Sequence, residues 1–163
     1  MSTTVDRFPS IMLLIFDLEG PESDNLTTDP DGGLTKFGIS QVQHPDVDVA
    51  NLTQATATAW YRTNMWLPNH CDEMPWPLCL AVFDGIVNGG GAEALQRALG
   101  VDDDGIIGPQ TMGAVQADTD TNELTARVLE QRALGYVDDV EWPDNGGGWM
   151  YRLARIGMAA GGP

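Results

Sequence analysis

Between Phe8 and Glu19 the chain is apolar at most positions, and the run stops at Gly20-Pro21. It predicts one helix that opens near Pro9 and Ser10 and ends at about Glu19, because glycine suits the position after a helix and proline cannot extend one. Residues 20–36 turn to Gly, Pro, Asp, Asn and Thr, the composition of an irregular loop or small hairpin, and Thr35-Lys-Phe-Gly-Ile39 can supply a short strand. A second helix is expected from Asn51 or Thr53 through Trp60 and Tyr61 to about Trp66, before Pro68, Pro75 and Pro77 interrupt the chain. A third covers 78–88, closed by Gly89-Gly90-Gly91, and a fourth covers 92–99, ended by Gly100. Asp102-Asp-Asp-Gly-Ile-Ile-Gly-Pro109 reads as a turn whose proline takes the first position of a fifth helix to about 116. Asp120-Thr-Asn-Glu123 resembles a capping box that opens a long helix to about 137, and a last helix covers roughly 149–159. No repeat period appears and no linker is long enough to divide the chain. The pattern predicts one compact domain over 1–163, all-α or mainly helical, with room for a small β-hairpin after the first helix.

Composition narrows the partners. An apolar share of 42% is ordinary for a folded domain. Twenty-four acidic residues face eight basic ones, Lys36 being the sole lysine, for a net charge of −16. Nucleic acid is excluded as a partner, since its binding depends on Lys and Arg neutralising phosphates, and anionic lipid is disfavoured for the same reason. The acidity itself reads as solubility or adaptation to salt and says nothing about fold. Cys71 and Cys79 have no metal-ligand spacing around them and read as partly buried thiols, a bridge being compatible with a non-reducing compartment. The N-terminal apolar run is too short to span a bilayer and lacks a basic n-region and a small-residue cleavage site. A monomer without membrane span, cofactor or metal is expected, made in a cytoplasm and initially kept there.

Glu19 is the residue that invites chemistry. Breaking a glycosidic bond needs a carboxylic acid to protonate the leaving oxygen and a second group to stabilise the sugar cation or activate water. A glutamate at the end of an apolar helix has a rigid backbone and apolar surroundings that can keep it protonated. The following loop adds Glu22, Asp24, Asp29, Asp31 and Thr35. The competing reading is a solvated helix end in a chain full of acids. Along the nearly all-apolar stretch 78–88, Asp84 and Asn88 are the strongly polar members and share one face. They either hold the loop by hydrogen bonds or line a saccharide cleft. Trp60, Tyr61 and Trp66 are core aromatics or sugar platforms, with Tyr61 the best cleft candidate because of its hydroxyl. The aspartates of 102–104 lack the ligand spacing of a calcium loop and read as a turn, while His44 and His70 have no partner pattern.

Leu18-Glu-Gly20 followed by Asp29-Pro-Asp-Gly-Gly-Leu-Thr-Lys-Phe-Gly-Ile-Ser40 resembles the N-terminal signature of glycoside hydrolase family 108. In those phage and bacterial N-acetylmuramidases a Glu-Gly-Gly element precedes an Asp-Pro-Gly-Gly-x-Thr-x-Tyr-Gly-Ile element. The similarity continues through Trp60-Tyr-Arg62, Met65-Trp66 and Phe83-Asp-Gly-Ile-Val-Asn88. Leu95-Gln-Arg-Ala-Leu-Gly100 with Asp104-Gly-Ile-Ile-Gly-Pro-Gln-Thr111 looks like the family's peptidoglycan-binding element, and Gly148-Trp149 with Arg152 matches its closing helix. The resemblance implies a lysozyme-like fold with a catalytic part over 1–90 and a peptidoglycan-binding-like helical part over 91–160.

It further implies Glu19 as general acid, with Asp29 and Thr35 handling water or charge. Asp29 stands ten residues after Glu19 and six before Thr35, an order similar to that of phage lysozymes. Asp31 is its rival, and with Tyr61, Asp84 and Asn88 counts among the candidate saccharide contacts. Two departures stand out: Pro21 replaces the second glycine of Glu-Gly-Gly, and Asp31 enlarges the Asp-Pro-Gly-Gly element. The activity implied is that of an endolysin cleaving the N-acetylmuramic acid to N-acetylglucosamine bond of peptidoglycan. Such an enzyme waits in a host cytoplasm for a holin before acting on the wall from the periplasm. The alternatives are a non-catalytic peptidoglycan-binding or structural module, and a lytic transglycosylase.

Overall fold

A computed structural model of the chain describes residues 6–20, 24–28, 33–137 and 139–161. Its packing falls into two compact units, Met1–Asn64 and Met65–Pro163. The first holds α1 (Phe8–Glu19), β1 (Thr27–Thr28), β2 (Leu34–Lys36), β3 (Ile39–Ser40), a 3-10 turn at Val49–Asn51 and α2 (Gln54–Tyr61). The second holds α3 (Leu78–Asn88), α4 (Gly91–Leu99), α5 (Pro109–Ala117), α6 (Thr121–Val137) and α7 (Trp142–Ala160). The described residues are thus mainly helical, with one small sheet.

Phe8, Ile11, Met12, Ile15 and Phe16 are buried along α1, an i, i+3, i+4, i+7, i+8 stripe that sets one face of the helix into the first core. Where a single strand over 35–39 was expected, two strands meet at a tight turn, and β1 adds a third. The sheet is antiparallel in the order β1-β2-β3, with Thr35 opposite Thr27 on one side and Ser40 on the other. The turn between β2 and β3 has positive φ at both central residues, 53° at Phe37 and 75° at Gly38. That is the hand a two-residue hairpin requires, yet it suits glycine and strains a bulky residue.

Three contacts hold Phe37 there. Its ring packs on Phe16 at 5.4 Å between centroids. Its carbonyl accepts a hydrogen bond of 2.9 Å from the buried Tyr61 hydroxyl. Next to it, Lys36 donates from Nζ to the Leu52 carbonyl at 2.7 Å. Tyr61 also meets the edge of Phe16, so α1, the hairpin turn and α2 converge on one aromatic cluster.

Thr53 caps α2 in a reciprocal box with Thr56, each hydroxyl accepting from the other's backbone N–H. The expected continuation to Trp66 widens into a π-helical turn at Arg62–Trp66. Asn64 gives the local reason: its side-chain amide donates to the Trp60 carbonyl at 2.9 Å, the acceptor that an α-helical backbone bond at that position would use.

In the second unit every residue from Leu78 to Gly85 is buried. Asp84 lies inside that run, fully shielded from solvent. Arg132 of α6 donates from Nη1 to its Oδ2 at 2.8 Å, and Arg152 of α7 donates from Nε to its Oδ1 at 2.9 Å. Arg132 is itself buried and passes its other Nη to the Tyr136 hydroxyl at 2.9 Å. Glycines make room for this arrangement. A Cβ on Gly85 would stand 2.6 Å from the Gly91 Cα and 3.1 Å from the Arg132 Nε. Gly91, expected to close α3, opens α4 instead, because its backbone lies directly on the last turn of α3.

The turn before α5 is organised by Gln96. Its buried amide nitrogen donates to Asp104 Oδ1, to the Ile106 carbonyl and to Thr111 Oγ1, and its oxygen accepts from the Gly105 N–H. The Ile106 N–H and then the Gln96 amide hold the Asp104 carboxyl below the usual carboxylate range. Asp103 pairs with Arg97 at 2.6 Å, so these aspartates serve the turn, as read from their spacing. Asp120 caps α6 through the Glu123 N–H.

The last helix begins at Trp142, seven residues earlier than the expected 149. The Gly146-Gly147-Gly148 run does not break it, because the Trp142 indole covers Gly146, where a Cβ would sit 2.7 Å from the ring. Trp149 then packs on Tyr136 at 5.0 Å. Cys71 and Cys79 are buried thiols not joined in a disulfide, and burial, then the neighbouring Cys79, pushes the Cys71 thiol up. It therefore stays protonated and is no nucleophile.

Each unit has a substitution that tests its central contact. Asp84→Ala strands two guanidinium groups and is expected to lower unfolding free energy by about 3–5 kcal/mol in a denaturant titration. Tyr61→Phe removes the donor to a buried carbonyl and is expected to cost about 1–3 kcal/mol in the same measurement.

Candidate active site

Glu19 closes α1 on the line of its buried stripe, three residues after Phe16 and four after Ile15, yet it is exposed. The expectation that apolar neighbours bury it is not met. The core ends at Phe16, and Glu19 projects one turn beyond it. Gly20, at φ 94°, then turns the chain away and donates its N–H to the Asp17 carbonyl at 3.2 Å. The residue that carries the candidate chemistry thus has a rigid base and a solvent-facing head.

Beside this helix end the first unit has an open cleft of about 360 Å³. Asp17 and Gly20 of α1, Asp24 of the following loop, Phe37 of the hairpin turn and Gln54 of α2 contribute to its walls. Two acids and an amide around an apolar floor of Leu13, Phe16 and Phe37 suit a neutral, hydroxyl-rich ligand. Asp17 and Gln54 were missed in the sequence. Asp17 shares a helical face with Leu13 and Gly20, a spacing that could have singled it out. Gln54 carried no signal, since only the fold brings α2 to this cleft.

Thr35 lies at the centre of the sheet, half-buried in β2, and its carbonyl accepts from the Thr27 hydroxyl at 3.2 Å. Asp29 and Asp31 lie outside the described residues. The strands on either side of them are paired, Thr28 opposite Leu34.

The other candidates take supporting positions. Tyr61, expected as a saccharide contact, is 4% exposed, and its hydroxyl is committed to the Phe37 carbonyl. It props the hairpin turn that forms part of the cleft wall. Asp84, expected either to hold the loop or to line a cleft, instead ties α3 to α6 and α7: it has no exposed surface, and arginines of those helices occupy both oxygens. Asn88 is exposed at the end of α3, and its amide nitrogen donates back to the Asp84 carbonyl at 2.8 Å. Trp60 is half-buried, with its ring 4.6 Å from His44 and 5.3 Å from Tyr61, so His44 has an aromatic partner that its isolation in sequence concealed.

Comparison with known proteins gives this geometry its context. Residues 12–90 match the family described as glycosyl hydrolase 108, and residues 91–153 match a "Predicted Peptidoglycan domain". The solved structure of Brucella abortus SagA is similar over 94% of this chain and 92% of its own, at 26% sequence identity and a TM-score of 0.78. Among curated proteins, none shows a significant match in sequence. The mainly helical, lysozyme-like architecture agrees with both findings. Glu19, Thr35, Tyr61, Asp84 and Asn88 all fall within the hydrolase stretch, and the Gln96–Asp104–Thr111 network falls within the peptidoglycan stretch. Residues 12–90 are thus a glycosyl hydrolase 108 region and residues 91–153 a peptidoglycan-binding element, which together make the chain a peptidoglycan glycosidase.

Proposed function

We propose that this chain is an N-acetylmuramidase of the endolysin type, hydrolysing the N-acetylmuramic acid to N-acetylglucosamine bond with Glu19 as general acid. The observation that carries the reading is the placement of Glu19: exposed, at the end of a helix anchored by five buried residues, inside the stretch matched to a glycoside hydrolase family. The fixed backbone sets the point from which the side chain extends, and the exposed position suits a polymer too large to enter a closed pocket.

Glu19 gives its proton to the glycosidic oxygen as the bond to the muramic acid carbon lengthens. A second carboxylate, Asp29 with Asp31 as rival, activates the incoming water or stabilises the sugar cation from the other face, and Thr35 orients that water. Glu19 meets solvent in the free protein, so the exclusion of water around the acid comes from the bound glycan. Tyr61 acts at one remove by holding the Phe37-Gly38 turn in its positive-φ conformation. Among the described residues no helix is long and apolar enough to cross a membrane, and a holin-type pore is assigned the delivery step.

Turbidity of outer-membrane-permeabilised Gram-negative cells tests the reading. Wild type is expected to clear the suspension, and Glu19→Gln is expected to lower the rate at least about 100-fold, the contribution of a positioned acid. Equal clearing by the two removes Glu19 from the role. Retention on purified peptidoglycan without release of reducing sugar would instead favour a binding module.

A further inference from the structure

The second unit carries a groove of about 470 Å³ that none of the candidate catalytic residues enters. Asn122, Thr125, Ala126 and Leu129 of α6 form one side, Gly157 of α7 the other, and Trp76 stands at its edge in the Pro-Trp-Pro segment before α3. The four α6 residues all fall within the stretch matched to a peptidoglycan domain. The volume lies in the range of about 300–1,000 Å³ typical of small-molecule sites.

We infer that this groove is a glycan-holding subsite that takes an uncharged N-acetylated amino sugar of the polymer, away from the bond that is cut. The inference rests on peptidoglycan being the polymer this chain acts on, and not on Glu19 being its acid. The lining chemistry selects the sugar. No described lining residue is charged, in a chain whose net charge is −16, so the carboxylates and amines of a stem peptide find no partner here. Half-buried Trp76 offers an aromatic surface of the kind that packs against the C–H face of a pyranose. Ala126 and Leu129 provide an apolar patch for an acetamido methyl. Exposed Asn122 brings an amide that both donates and accepts, matching the amide and hydroxyls of the same sugar. The Thr125 hydroxyl is turned to its own helix, donating to the Thr121 carbonyl at 2.7 Å, so Thr125 adds apolar wall and not a polar contact.

The probe is the N-acetylglucosamine trimer, which is uncharged and lacks the bond the enzyme cuts, so its binding is read on the intact, active chain by titration calorimetry. Trp76→Ala removes the aromatic wall. Gly157→Leu fills the groove, and its Cβ would stand 3.7 Å from the Leu129 Cδ1, an ordinary contact. Each substitution is expected to weaken trimer binding by about tenfold or more, with the circular dichroism of wild type retained. Trimer binding unchanged in both variants overturns the subsite, as does displacement of the trimer by a free stem tetrapeptide. Undiminished lysis by Glu19→Gln would remove the catalytic assignment and leave this comparison standing.

Discussion

Asp84 has no surface from which water could solvate it, and a carboxylate in that position must be answered by fixed charges. Arg132 and Arg152 supply them from two different helices, so α6 and α7 are tied to α3 through one pair of oxygens. The neighbouring geometry follows from that constraint. Residue 85 is held to glycine by the backbone of Gly91, whose Cα would stand 2.6 Å from a Cβ there, and the Arg132 stem passes on the same bare side. Tyr136 accepts from the second Arg132 Nη and packs against Trp149, which carries the arrangement along α6 and α7. A hydrophobic trio in place of these three residues could be as stable, but it would lack the fixed pairing that selects one register of the helices.

The first unit depends on a different device. Phe37 adopts a backbone conformation that costs energy for a bulky side chain, and the surroundings over-determine it through the Phe16 ring and the Tyr61 hydroxyl. Phe16 lies one turn before Glu19, so the contact that holds the strained hairpin turn also joins it to the end of the helix that bears the candidate acid. Glu19 and the cleft wall are thereby referenced to the same few aromatic rings, while the acid itself stays in solvent.

Much of the helical plan was legible along the chain. The bounds of α3, α4, α5 and α6 come within a residue or two of those read from apolar runs, Gly100, Pro109 and the Asp120 cap, since these are local signals. The misreadings have tertiary causes. Gly146-Gly147-Gly148 reads as a break in isolation, and only the Trp142 indole lying on Gly146 makes it helical. Gly91 reads as a helix stop because its close approach to Gly85 is invisible in sequence. The β2–β3 turn was hidden for a similar reason: no local rule puts phenylalanine at positive φ. For the site, the place of Glu19 at the end of an apolar run was readable, and its exposure matches the solvated helix end that the same residues also allowed. Tyr61 was read as a cleft candidate from its hydroxyl and Asp84 as loop support or cleft lining, and their polar atoms are satisfied inside the protein by partners 24 and 48 residues away.

The proposed muramidase activity stands or falls on which bond is cut and how. The most direct measurement is mass spectrometry of the fragments released from purified peptidoglycan, with the reducing ends identified after borohydride reduction. Cleavage by a general acid and water at the proposed bond yields fragments that end in reducible N-acetylmuramic acid. Fragments ending in N-acetylglucosamine, or in non-reducible anhydro-muramic acid, would contradict it.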